Sequence, residues 1–375
     1  MKDLRKRLSA PLFWAGLVFE LLVSPSGYMI GNYHESLIIL LGMLCFSLSL
    51  LCSMDLKRDW KVFIPLFAFA LACYFVQHSA LILRICLILL AGREMEREKV
   101  FRFFFIGTAV TMLAGLVLAF TPLGGDLYVE DAFRHVTERR YSFGFLHVNG
   151  FAFFWIRLIL LGFYLYEEKL RAIPVFAAAA LFSVPLILCR SKTALAVFAL
   201  LCVWIILRRL VKDREKLLKF TAAAGGLMIA FELLLVFTLG IFPYPEATQG
   251  EIHNYWDLMN EVTTGRLEHG QQLLKSMQPS LLGMRGLEDA TEIGFIHSLY
   301  FEGILFVAVY CIMLFWLLRR TYREKDMQGM VFLLVFALYS LAEAFLPYVN
   351  KNGTWLLLIA GLPAFMMPRK RSEAI

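Results

Sequence analysis

The chain has 375 residues, 59% of them hydrophobic and 18% charged, with a mean hydropathy of +0.67. Soluble domains carry about 45–50% apolar residues, so this composition excludes a water-soluble body and points to the bilayer as solvent. The formal net charge of +7 then raises the question of which membrane face holds the cations, and is no sign of nucleic acid.

Apolar stretches recur from residue 9 to residue 367 with short polar breaks, so residues 1–375 read as a single all-α membrane domain. In chain order, spans are expected near 9–23, 34–53, 62–77, 79–91, 100–121, 148–166, 171–188, 191–208, 217–240, 298–318, 328–345 and 352–367. The stretch 62–91 is split at Gln77-His78-Ser79, being too long for one crossing. The basic start (Lys2, Arg5, Lys6, Arg7) leads into the first span without a small-residue cleavage site.

With both termini cytoplasmic, 26 of the 37 Lys and Arg residues fall in inward segments, among them Arg93, Arg208, Arg209, Lys212, Arg214, Arg319 and Arg320. Positive charge retained on the cytoplasmic side is what membrane insertion favours. A single span over 62–91 would flip every later loop and break that bias. Two long external loops result, 122–147 and 241–297. In the second, Leu267, Leu273, Leu274 and Met277 share a helical face, which predicts a short amphipathic helix ending before Pro279 and the Gly283/Gly286 pair.

The seven cysteines lie in or beside apolar segments and form no Cys-x-x-Cys pair, so neither a disulfide framework nor a zinc site is expected. Walker, HExxH and external DxD-like patterns are absent from the sequence, which argues against nucleotide hydrolysis and metal-dependent nucleotide-sugar chemistry; no metal or cofactor is expected.

Nine cations remain outside, and six of them are arginine: Arg134, Arg139, Arg140, Arg190, Arg266 and Arg285. Guanidinium offers a planar fork of donors matched to phosphate oxygens. Pairing with Asp126, Glu130, Asp131, Glu138 or Glu268 is the plainer account of any one of them. Arg190 sits between two closely spaced spans, where a charge is costly and points to function or to a snorkelling helix end. The segment RRYSFGFLHVNG gathers Arg139, Arg140, His147 and Asn149 at the mouth of the sixth span. His297 opens the span after the long loop and could accept a hydroxyl proton near neutral pH. Arg84, Arg157, Glu232 and Glu343 are placed inside spans, where a carboxylate calls for a proton path or an arginine partner, and Glu292 and Glu302 near an outer end.

The order of RRYSFGFLHVNG, CRSKTALAVF, TTGRLEHGQQLLKS, LLGMRG and IHSLYFEGILF, from about residue 100 onward, resembles the Wzy-type polysaccharide polymerases and O-antigen ligases. The resemblance implies a GT-C-like helical fold in the bacterial cytoplasmic membrane. It also implies metal-independent glycosyl transfer at the outer face, from an undecaprenyl diphosphate-linked oligosaccharide donor to an acceptor hydroxyl. Arg190 matches the arginine of the family's Ser-Arg segment and Arg266 that of its Gly-Arg segment, both implied to hold the diphosphate. His297 matches the histidine that orients or deprotonates the acceptor. Arg140, His147 and Asn149 match the segment Arg-x-Ser-x-Gly-x-x-His-Pro-Asn, with Arg139, Arg285 and Tyr300 as further substrate contacts. Val148 stands where that pattern has proline, and Cys189 where it has serine before the arginine. Membrane lipid, chain-length regulators and flippases are the partners implied. Polymerase and ligase share these features; a flippase for lipid-linked sugars suits the spans but gives less reason for a loop carrying Arg266 and His297.

Overall fold

The computed structural model describes residues 2–29, 35–54, 56–121, 126–133, 136–145, 147–170, 175–241, 260, 263, 265–285 and 292–359. The chain packs as two compact units, where the sequence reads as one domain. One comprises residues 1–63, 86–214 and 349–375, the other residues 64–85 and 215–348.

In the first unit, α1 (Lys2–Met29) and α2 (Glu35–Ser53) form a close pair. The Ser49 hydroxyl donates to the Ser9 carbonyl (2.8 Å) and the Ser9 hydroxyl to the Ser49 carbonyl (3.1 Å). Such reciprocal bonds join helices where no water competes. Then come α5 (Arg97–Leu118), a hairpin of β1 (Tyr128–Phe133) and β2 (Val136–Tyr141), α6 (Val148–Leu170), α7 (Val175–Cys189), α8 (Lys192–Leu210) and α14 (Thr354–Ile359). The antiparallel hairpin, with Val129 opposite Arg140, departs from the all-α expectation for loop 122–147. Its strands YVEDAF and VTERRY hold β-branched and aromatic residues that favour strands, a signal too short to stand out beside long apolar helices. The hairpin exit turns at Gly144 (φ +85°), where a Cβ would lie 2.2 Å from the Gly115 carbonyl of α5, so only glycine allows the contact.

Helices α3 (Leu56–Gln77) and α4 (Leu81–Ala91) are separated where the sequence expects, at His78, whose φ is +55°. The second unit continues with α9 (Arg214–Ile241), α10 (Arg266–Ser276), α11 (Gly294–Phe301), α12 (Ile304–Arg323) and α13 (Met327–Ser340). Helix α10 is the expected amphipathic helix. Leu267 and Leu273 are buried in a cluster with Leu239, Ile293, Ile296 and Tyr300, and Leu274 and Met277 pack against it. The span expected over 298–318 is broken at Glu302-Gly303, so α11 is a separate short helix. Helix α13 is apolar on all sides and buried on nearly all of them, the mark of a core helix. It ends at Ser340, which leaves Glu343 beyond the helix rather than inside a span.

Among the described residues six helices are long and apolar enough to cross a bilayer: 35–53, 97–118, 148–167, 192–210, 214–241 and 304–323. Four shorter apolar helices cover 63–77, 81–91, 177–189 and 327–340. Leu40, Leu113, Phe120, Leu227 and Phe237 are all more than 60% exposed. Exposed apolar surface on this scale is stable only against hydrocarbon, the signature of an embedded protein. The span expected over 352–367 is helical over 354–359, and residues 360–367 lie outside the described residues.

Candidate functional site

In the first unit, Arg140 is the penultimate residue of β2 and α6 begins at Val148, so the motif between them is a short link anchored at both ends. Arg140 donates from Nε to the Cys189 carbonyl (3.1 Å) and from Nη2 to the Asn149 side-chain oxygen (3.4 Å). The Asn149 amide donates to His147 Nδ1 (3.2 Å). Carbonyls in the last turn of a helix lack intrahelical partners, and Cys189 ends α7. Arg140 therefore caps α7 while reaching α6.

Directly after Cys189 the backbone of Arg190 turns left-handed, φ +52°, and its amide donates back to the Ile187 carbonyl (3.0 Å). A non-glycine residue held there costs about 1–3 kcal/mol and persists only when its surroundings fix it. The turn lets α7 stop and α8 start within two residues, and it leaves the Arg190 side chain exposed at their junction. Lys192 opens α8 beside it, also exposed. Two cations thus stand at the positive end of a 19-residue helix, an arrangement that attracts anions.

Arg139 takes the plainer of its two readings: it pairs with Glu130 (3.3 Å) and lies over the Tyr128 ring (4.2 Å), exposed. His147 is exposed. Arg134 lies outside the described residues.

The second unit gathers the later motifs. Gly265 enters α10 with φ +84°, and Arg266 follows at the first helical position. The Arg266 guanidinium pairs through Nε with Glu292 and through Nη2 with Glu343 Oε1 (3.6 Å). Its side chain is 12% exposed, against 51% for Glu292. Asn260 secures the approach, donating to Glu268 (3.1 Å) and accepting from the Glu268 amide (3.2 Å). The sequence leads one to expect a proton path or an arginine such as Arg84 or Arg157 for Glu343; the partner is instead Arg266, and α13 ends early enough to leave Glu343 beside it.

His297 lies on α11, half-buried, its ring stacked on Phe301 at 4.2 Å. Tyr300, expected at the substrate, is instead fully buried, and its hydroxyl donates to the Leu273 (3.1 Å) and Met277 (2.7 Å) carbonyls, so it secures the end of α10. The loop 279–285 packs on the α11–α12 break. The Met284 amide donates to the Tyr300 carbonyl (2.8 Å), and the Gln77 amide group to the Leu282 carbonyl (2.6 Å). These bonds hold the loop and leave Arg285 exposed at its edge. Glu302, at the break and ahead of the α12 span, is buried, and burial pushes its carboxyl up to about 8.

The chain matches no family model and no curated protein. Its candidate chemistry therefore rests on these two arginine-centred clusters.

Of the intramembrane charges, Glu232 is held by the Ser340 hydroxyl, which lies 2.6 and 2.8 Å from its two oxygens. Arg157 lies over the Phe104 ring (4.8 Å) and interacts electrostatically with Glu20, a residue the sequence reading did not single out. Glu20 sits in the first apolar stretch, and a carboxylate there was the available signal.

Proposed function

We propose that the protein is a metal-independent glycosyltransferase that joins undecaprenyl diphosphate-linked repeat units at the outer face of the bacterial cytoplasmic membrane. It would cross the membrane twelve times on a GT-C-like plan with both termini inside. The observation that carries this reading is the bond from Arg140 to the Cys189 carbonyl, which ties the RRYSFGFLHVNG motif to the turn that presents Arg190.

The acceptor hydroxyl attacks the donor's anomeric carbon, and the bond from that carbon to the diphosphate oxygen breaks. His297 takes the hydroxyl proton, while the lipid diphosphate leaves with the bonding electron pair. Charge develops on the formerly bridging oxygen, so guanidinium groups already in place stabilise the transition state more than the bound substrate. The resemblance to the Wzy-type family gives this role to Arg190 and to Arg266. Arg140 and Asn149 fix the Arg190 turn, and His147 and Arg285 contact the glycan. Attack opposite the leaving group inverts the anomeric configuration, and retention in the product linkage would exclude this route.

The test uses the purified full chain in detergent with an undecaprenyl diphosphate-linked oligosaccharide as both donor and acceptor. A ladder of longer lipid-linked products is expected from the native protein and not from Arg190→Ala, Arg266→Ala or His297→Ala. Transfer of one finished glycan to a different acceptor, with no ladder, would make the protein a ligase. Movement of the intact substrate across vesicles without elongation would make it a flippase.

A further inference from the structure

A cavity of about 530 Å³ opens among α5, α6, α7 and α8 within the first unit, on residues that the proposed transfer reaction does not use. Phe105, Trp155, Phe163, Phe182, Phe198 and Leu201 form its walls. Room comes from small side chains: Ala178 and Ala179 line α7, and a Cβ at Gly162 would meet the Phe105 ring at 3.2 Å. At one end the lining changes to Glu167, Arg208, Arg209 and Arg214.

Arg208 is committed within the protein. It pairs with Glu167, both side chains nearly buried, and lies over the Trp204 ring at 5.6 Å. Glu167 is thus answered by Arg208, and the lining at this end holds two further arginines, Arg209 and Arg214, both exposed. The depth is set by the helices. At 1.5 Å per residue, Trp155 to Glu167 spans about 18 Å along α6, and Phe198 to Arg209 about 16 Å along α8. Half of a hydrocarbon core of about 30 Å is about 15 Å. The cavity is therefore one leaflet deep, apolar along its length and cationic at one end.

We infer that this cavity binds an anionic phospholipid, with an acyl chain along α6 and α8 and the phosphate between Arg209 and Arg214. A polar metabolite would leave its hydrogen-bonding groups unanswered against the aromatic walls. A zwitterionic lipid would bring its own cation to the arginines. The positive-inside reading assigns the segment 208–214 to the cytoplasmic side, so the site faces the leaflet opposite the proposed transfer chemistry and stands independently of it.

Native mass spectrometry of the purified full chain tests this. The probes are dioleoyl phosphatidylglycerol, phosphatidylcholine with the same chains, and glycerol phosphate without chains. The native protein should retain phosphatidylglycerol at about tenfold lower concentration than phosphatidylcholine. That preference should vanish in Arg209→Gln/Arg214→Gln. Ala179→Phe, which fills the apolar wall and spares the charges, should lose the phosphatidylglycerol adduct, with thermal melting of each variant as the folding control. Equal retention of the two lipids, or a preference that survives both variants, would overturn the site. Glycerol phosphate binding as tightly as the lipid would make it a site for free phosphate groups and exclude the acyl chain.

Discussion

Arg140 donates from Nε to the main-chain carbonyl of Cys189 across 3.1 Å, so the last turn of α7 and the second hairpin strand are fixed to each other one residue before Arg190. Lysine has one compact ammonium and cannot reach the carbonyl and Asn149 together in the same geometry. Arg140→Lys should lower elongation by about tenfold or more, with little change in melting temperature, as a charged hydrogen bond contributes about 1.5–3 kcal/mol. Asn149→Ala, which removes the weaker of the two contacts, should lower it less. The product ladder measured over time checks both.

Arg266 is poised between Glu292 and Glu343. If its guanidinium serves a diphosphate, removing the exposed carboxylate strengthens donor binding. Glu292→Gln should therefore lower KM for the lipid-linked donor by a few-fold, whereas Arg266→Ala should abolish the ladder. Steady-state kinetics on the two variants separates a binding arginine from one that only holds the fold.

Gly283 has φ +89°, and a Cβ there would lie 2.2 Å from the Phe301 carbonyl, so the loop that carries Arg285 depends on glycine. Gly283→Ala should destabilise the protein by about 1–3 kcal/mol. Gly226, in the interior of α9, has nothing within 4 Å of its Cβ position. Gly226→Ala should be neutral or stabilise by about 0.5–1 kcal/mol. Thermal unfolding in one detergent compares the pair.

Ser340 answers both oxygens of the buried Glu232. Ser340→Ala should cost about 1–3 kcal/mol, because it leaves a buried acceptor without its donor. Glu232→Leu in that background should recover part of the loss. A double-mutant cycle in chemical unfolding measures the coupling.

Glu302 sets a pH dependence. Burial raises its carboxyl from the ordinary 4.5 to about 8, so between these values the folded protein holds a proton that the unfolded chain releases. The contribution to stability is complete below about pH 4.5 and falls as pH rises toward about 8, beyond which it is lost. Unfolding midpoints should decline across that window in the native protein and flatten in Glu302→Gln.

The long helices were legible because an apolar run of span length leaves few alternatives in a bilayer. The break at His78 and the amphipathic helix over 266–276 were legible for related reasons, a polar interruption and a hydrophobic face at helical spacing. The hairpin over 128–141 was not, as two six-residue strands carry little periodic signal. Nor was the role of Tyr300: an aromatic at a span opening reads the same in sequence whether its hydroxyl meets a ligand or two backbone carbonyls.

The sequence by itself determined the solvent this protein folds in, the positions of most helices and the residue types available for binding an anion, because these follow from composition and local periodicity. Only the tertiary structure decided what each charge faces. It joined Arg140 to the end of α7, placed Glu343 beyond its helix and beside Arg266, gave Glu232 a serine, and opened an arginine-rimmed cavity one leaflet deep. These outcomes depend on where helices stop and which faces meet, and such contacts between residues far apart in the chain leave no local mark in the order of amino acids.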